Sequence, residues 1–185
     1  MAKFFPQLST ALQNFIADQQ MFFVATADVD GRVNLSPKGL DSLKVLGPER
    51  IIWLNLTGSG NETAAHLLAV NRMTLMFCSF AGNPLILRVY GTARAVYPGD
   101  EEWDTLVASF PRLDGARQIF DLQIESVQTS CGYAVPLYDY VGQRDRLFQW
   151  AEQKGEEGIK QYWVDRNAKS IDGKPTGMRA PDSTQ

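Results

Sequence analysis

The chain has 185 residues, 44% of them hydrophobic and 21% charged, with a formal net charge of −3 at pH 7 and a single histidine. That length suits one domain with a substantial buried core, and a pI near 5.2 leaves no basic stripe of the kind a general nucleic-acid binder needs. No apolar run of ~18 residues is present, which excludes a transmembrane helix, and the two cysteines, outside any CxxC pair, point to reduced thiols in a cytoplasmic setting.

Phe4-Phe5 is broken at once by Pro6-Gln7, so the N-terminus lacks a signal-peptide pattern. Leu8, Leu12, Phe15 and Ile16 recur at helical spacing and predict a short amphipathic helix. Met21–Ala27 and Arg32–Ser36 read as strands flanking a turn in which Gly31 can take a positive φ. Just beyond, Pro37 removes a backbone donor and Gly39 frees the backbone, so the strand ends with Ser36 and Lys38 in a defined place. Ile51–Leu56 is the next strand, and a Gly/Ser turn leads from it into a helix from about Asn61 to Val70. Ser59 and Glu62 stand at capping-box spacing. Amides left free at such a helix start, with the helix dipole, form an anion site, to which Ser59, Asn61 and Thr63 add side-chain donors. The turn is not a Walker loop, because no Gly-Lys-Ser/Thr follows it. An ordinary, well-capped strand-to-helix turn is the plainer reading. His66, on the same helix, has no metal-spaced neighbours and is expected to be hydrogen-bonded rather than metal-ligating.

Arg72–Phe80 and Leu85–Tyr97 form a second predicted hairpin around Ala81-Gly82-Asn83-Pro84. Arg88 lies mid-strand among apolar residues, where a charge is costly unless paired; it should meet a carboxylate or a ligand, or else lie on an exposed barrel face. Asp100–Phe110 reads as a helix and Arg117–Gln128 as the last strand. Cys131 follows, either a reactive thiol or a small buried hydrophobe. After about Tyr140 the composition turns polar: Gln143–Lys154 and Glu156–Asn167 read as helices, and everything from Asp172 as an extended or disordered tail. Residues 1–140 are thus the barrel, and 141–185 an arm and tail of the same domain, whose Phe148, Trp150, Tyr162 and Trp163 suit a partner subunit. The fold class is mainly β with flanking helices (α+β). Six or so hairpin-linked strands should close into a full or split barrel.

Met21–Ala27, Val33–Gly39, Leu56–Thr63, Leu75–Phe80, Leu87–Gly91 and Thr129–Tyr133 together resemble the pyridoxamine 5′-phosphate oxidase-related FMN-binding proteins, in order and spacing over roughly residues 5–140. The resemblance implies an FMN-binding split β-barrel with the flavin at a homodimer interface. It places Ser36 and Lys38 on one phosphate-holding element and Ser59, Gly60, Asn61, Glu62 and Thr63 on the other. Arg88, and Cys131 near the isoalloxazine edge, complete the candidate cofactor set. The oxidases carry an arginine and a second lysine in these two elements, where this chain has Val33 and the Glu62-Thr63 pair. Lys38 is therefore the only cation in either.

The implied function is that of an oxidoreductase using a small-molecule redox substrate or a nicotinamide reductant, the flavin itself carrying the chemistry. A non-catalytic flavin- or haem-binding protein, for storage or sensing, is the alternative. True pyridoxamine-phosphate oxidase activity is not expected, since Lys169–Pro175 replaces the oxidases' arginine- and histidine-bearing substrate motif. No Ser/His/Asp or paired-carboxylate set can be drawn from the sequence. No metal, nucleic-acid or membrane partner is expected.

Overall fold

The computed structural model describes residues 2–178. Eight antiparallel strands form one curled sheet. In chain order they are β1 (Lys3–Phe5), β2 (Phe22–Thr26), β3 (Asn34–Lys38), β4 (Leu43–Gly47), β5 (Arg50–Leu56), β6 (Arg72–Cys78), β7 (Ile86–Val96) and β8 (Ala116–Ser130). Their order across the sheet is β3-β2-β6-β7-β8-β5-β4, with β1 paired to β8. Helices α1 (Thr10–Ala17), α2 (Glu62–Ala69), α3 (Trp103–Val107) and α4 (Arg146–Tyr162) flank it, and α4 runs into a π-helical turn, Trp163–Asn167. The half-barrel expected from the hairpin pattern is present.

Two strands escape the periodicity. β1 is three residues long and exposed, and β4, pairing Leu43 with Trp53, shows no clean alternation of buried and exposed residues. α3 is shorter than the expected 100–110 span. The two polar helices of the arm are a single element broken at Gly155, whose φ of 65° and ψ of 171° interrupt the helix where the sequence reading separates them. The tail is neither free nor extended as far as Thr176: the Tyr97 hydroxyl donates to the Thr176 carbonyl, and Thr176 donates to the Asn167 carbonyl at 2.6 Å. The part of the expected tail after residue 178 lies outside the described residues.

The main core fills the curl of the sheet. Trp53 stacks at 4.6 Å on Phe120 and meets Phe22 edge-on, while Phe22 stacks on Phe77. Val24, Leu75, Leu87, Val89 and Leu122 pack around them, with Ala64 of α2 among them. A smaller cluster under α3 joins Leu54, Leu106, Phe110 and Ile119. Among the described residues no helix is long and apolar enough to cross a membrane.

The C-terminal segment is strapped to the β2–β3 hairpin by charge. Lys174 Nζ donates to the Asp28 carboxylate at 2.7 Å and also pairs with Asp30; Arg32 pairs with Asp172. Lys174 holds the Asp28 carboxyl below the usual carboxylate range, and the backbone N–H of Arg32 does the same for Asp172. A carboxylate depressed in this way stabilises the fold above its unfolded value of 3.8 and loses that contribution as pH falls through the lower folded one. Lys174→Ala should therefore release the strap at neutral pH. Limited proteolysis is expected to cut the variant within 168–178 much faster than the parent, with the melting temperature nearly unchanged.

Candidate functional site

The face of β3 that carries the candidate residues is set by strand alternation. Asn34, Ser36 and Lys38 point to the half-buried side, whereas Leu35 and Pro37, like Val33 before them, face out. Four residue steps of strand lead from Asn34 to Lys38, a span of ~13 Å. Asn34 lies opposite Thr26 and Lys38 opposite Phe22, so the two mark opposite ends of β3.

At the Asn34 end stands the turn into α2. Asn34 Nδ2 donates to the Thr63 hydroxyl at 3.1 Å, and Thr26 Oγ1 contacts His66 Nδ1 at 3.1 Å. His66 is thus a buried, hydrogen-bonded residue that ties α2 to β2. The capping box is not formed. Asn61 is the N-cap without a side-chain cap bond, Ser59 and Gly60 are exposed, and the Glu62 carboxylate accepts the Ile171 N–H at 3.0 Å. Asn61 instead accepts from Gln118 Nε2 at 2.6 Å and donates to the Asn167 carbonyl. Asn167 Nδ2 in turn donates to the Gly58 carbonyl, and Trp163 Nε1 to the Thr57 hydroxyl at 2.8 Å. The π-helical turn therefore roofs this corner.

Arg117, which sequence reasoning passed over as the first residue of a strand, lies beneath the same turn. Its Nη2 donates to the Gly60 carbonyl at 3.0 Å, while Nε and Nη1 have no hydrogen-bond partner among the described residues. The side chain is only 2% exposed. Burial pushes the guanidinium down to about 10, partly offset by Tyr97, Tyr162 and Glu62 around it. The one available signal was two consecutive polar residues, Arg117-Gln118, at the head of an apolar strand.

At the opposite end, Lys38 lines a cleft of about 940 Å³ with Phe80, Tyr138, Tyr140, Arg144 and Arg146. Tyr138 stacks on Phe80 at 5.4 Å and donates its backbone N–H to the Phe80 carbonyl. Gln143 Nε2 reaches the Gln20 carbonyl at 2.9 Å, passing so close to Gly39 that a Cβ there would lie 2.9 Å from Gln143 Oε1. The turn after Lys38 holds two non-glycine residues, Leu40 and Asp41, at φ 65° and 52°. That is costly local backbone, which fixes how β3 ends. Lys38 Nζ sits 5.3 Å above the Trp53 ring centre. No ion pair involving it appears among the described residues, and burial, with the Arg117 charge second, lowers its ammonium to about 8.

The remaining candidates gather elsewhere. Arg88 finds no carboxylate among the described residues; its Nη1 contacts the Ser130 hydroxyl at 3.3 Å. Cys131 next to it is exposed, so the reading as a small buried hydrophobe is corrected; Cys78 is the buried thiol, its pKa raised by that burial. The structure therefore brings Asn61, Glu62 and Thr63 to one end of β3, leaves Ser36 in the middle, and puts Lys38 at the other end. The Lys38 ammonium nevertheless lies over Trp53, near enough to Arg117 beneath the turn to feel its charge.

Residues 8–131 match the sequence pattern of the family described as pyridoxamine 5′-phosphate oxidase. The chain is similar to the pyridoxamine 5′-phosphate oxidase family protein ustO of Aspergillus flavus, with 36% identity over 193 residues covering 95% of this chain and 78% of that protein. Two solved structures share the fold. One is a candidate pyridoxamine 5′-phosphate oxidase of Lactobacillus delbrueckii, with 21% identity, a TM-score of 0.52, and coverage of 66% of this chain and 94% of that one. The other is HupZ of Group A Streptococcus, with 19% identity, a TM-score of 0.52, and coverage of 65% and 91%.

Proposed function

This chain belongs to the pyridoxamine 5′-phosphate oxidase family, and from that premise we propose that it binds FMN along the half-buried face of β3 and acts as an oxidoreductase on a small molecule. The observation that carries the reading is the continuity of that face. It runs from a hydrogen-bonding corner at α2 to an aromatic-walled cleft of about 940 Å³, within the range of small-molecule sites. Among the described residues, a lysine with no ion pair at one end and a buried arginine with two unmet nitrogens at the other suit a ligand that is anionic and flat. Asn34, Ser36, Asn61 and Thr63 would hold the polar part, and Lys38, Phe80 and Tyr138 the ring. When bound, the flavin supplies the acceptor or donor of hydride or electrons. The chain's own part is to orient the ring, keep water from it, and hold positive charge at Lys38 against any negative charge that develops nearby.

A second copy of the chain completes the reading. Val33 and Leu35 on the outer face of β3, and Leu137, Tyr138, Tyr140 and Val141 around the cleft, are exposed apolar surface that an isologous dimer would cover. Light scattering should give twice 20.6 kDa at low micromolar concentration. The protein loaded with FMN should show the two visible flavin bands, which bleach on addition of NADH or NADPH. Bands that persist under both nucleotides would leave a flavin binder without reductase activity. A Soret band in the protein as isolated, with no flavin uptake, would replace the reading by haem binding.

A further inference from the structure

We propose that Arg117 is the anchoring charge of a phosphate site at the start of α2, beneath the π-helical turn. The phosphate is either free or carried by the flavin, and only the second source rests on the reading above. β5 and β8 lose register between Asn55 and Leu56: Gln118 lies opposite Asn55 but Ala116 opposite Leu56, so Arg117 is the extra residue of a bulge. Bulges of this kind re-aim a side chain, here toward the turn. The guanidinium is fixed there by its bond to the Gly60 carbonyl, with Nε and Nη1 unmet.

Among the described residues no carboxylate pairs with it. Glu62 is the acidic group close enough to act on it electrostatically, yet its two oxygens are turned to the Ile171 N–H at 3.0 and 3.2 Å. A buried cation with unmet donors is strongly unfavourable, so an anionic acceptor is the natural occupant. The rest of the corner suits one: the first amides of α2 carry the positive end of its dipole, and Thr63 and Asn61 stand beside them. The first turn of α2 supplies no cation, and Val33 and Asn34 stand at this end of β3; Lys38, from its other end, brings an ammonium near enough to feel the Arg117 charge. Arg117 arrives instead from β8. Two acceptors close by, Gln118 Oε1 and Asn167 Oδ1, also lack donors among the described residues; waters bound with the anion would meet them.

The test uses the full chain, its Arg117→Met variant and its Arg117→Lys variant. The thermal midpoint of the flavin-free protein is followed against inorganic phosphate, with chloride at matched ionic strength, and FMN and riboflavin affinities are measured in parallel. Phosphate should stabilise the parent saturably and chloride should not; Arg117→Met should lose the response and Arg117→Lys keep part of it. The preference for FMN over riboflavin should fall in Arg117→Met by roughly ten- to a hundredfold, the worth of a charged hydrogen bond, with riboflavin affinity kept. In the parent, the arginine Nε–H resonance missing from Arg117→Lys should move on phosphate addition, a readout that stands even if Arg117→Met does not fold. A stationary resonance, or an Arg117→Met protein with the parent's phosphate response and FMN preference, would overturn the proposal. Arg117-dependent phosphate binding without uptake of either flavin would uphold it and remove the flavin reading instead.

Discussion

Lys38→Met is expected to make the ligand-free protein more stable at pH 7 while weakening FMN binding by about 1.5–3 kcal/mol, the range for a lost charge-assisted contact. Lys38 is held at about 8 by burial and by the Arg117 charge, below the ordinary 10.5. The unfolded chain thus binds this proton more tightly than the folded one. Carrying the charge costs stability at every pH below about 8, and the cost fades as pH rises from there through 10.5. Methionine keeps the packing on Trp53 and removes the charge. The stability gain of the variant should be full at pH 7 and should shrink between pH 8 and 10.5 in denaturant titrations. Because Lys38 lines the cleft, with its ammonium over the Trp53 ring, riboflavin affinity should fall together with that of FMN. A variant that loses FMN alone would move the phosphate to the Lys38 end of β3.

Gly91→Ala should destabilise the fold by about 3 kcal/mol or more, at or beyond the upper end of ordinary overpacking. A Cβ at Gly91 would lie 1.9 Å from the Gln123 carbonyl oxygen, backbone that cannot give way without parting β7 from β8. The pair shifts register at this point, between Tyr90 and Gly91, so the strands approach closely where the ladder bends. Gly58→Ala is the control, because its Cβ would meet nothing within 4 Å. Melting curves of the two should separate widely. Coincident curves would mean that the strand junction is far softer than its geometry implies.

Alternating and helix-spaced side chains made most of the barrel legible from the sequence: β2, β5, β6, β7 and β8 each carry enough buried apolar residues to announce themselves. β4 does not, because Leu43, Lys44 and Val45 are all half-buried and no face stands out. At the site, residue type was legible and arrangement was not. Ser36, Lys38 and the Asn61–Thr63 turn looked like two halves of one pocket; the backbone of Lys38 stands at the far end of β3 from Thr63, and it is Arg117, beneath the turn, whose charge its ammonium feels. Arg117 was invisible because a bulge, which no periodicity encodes, aims it at Gly60. The partners of the turn, Asn167 and Ile171, come from more than a hundred residues downstream, beyond the reach of any local pattern.

The strand order carries a consequence for how the chain is made. β4 and β5 form a hairpin early, but the other side of β5 pairs only with β8, Ile51 against Leu122 and Trp53 against Phe120. A ribosome that has released the apolar run Ile51–Leu56 must still add some sixty residues before its partner strand emerges. During that interval the hairpin presents an unsatisfied, strongly apolar edge, while β6 and β7 can already close on β2. Nascent chains whose released part ends between residues 97 and 115 should thus be the aggregation-prone species, and a chaperone that shields exposed strand edges has most to offer in that window.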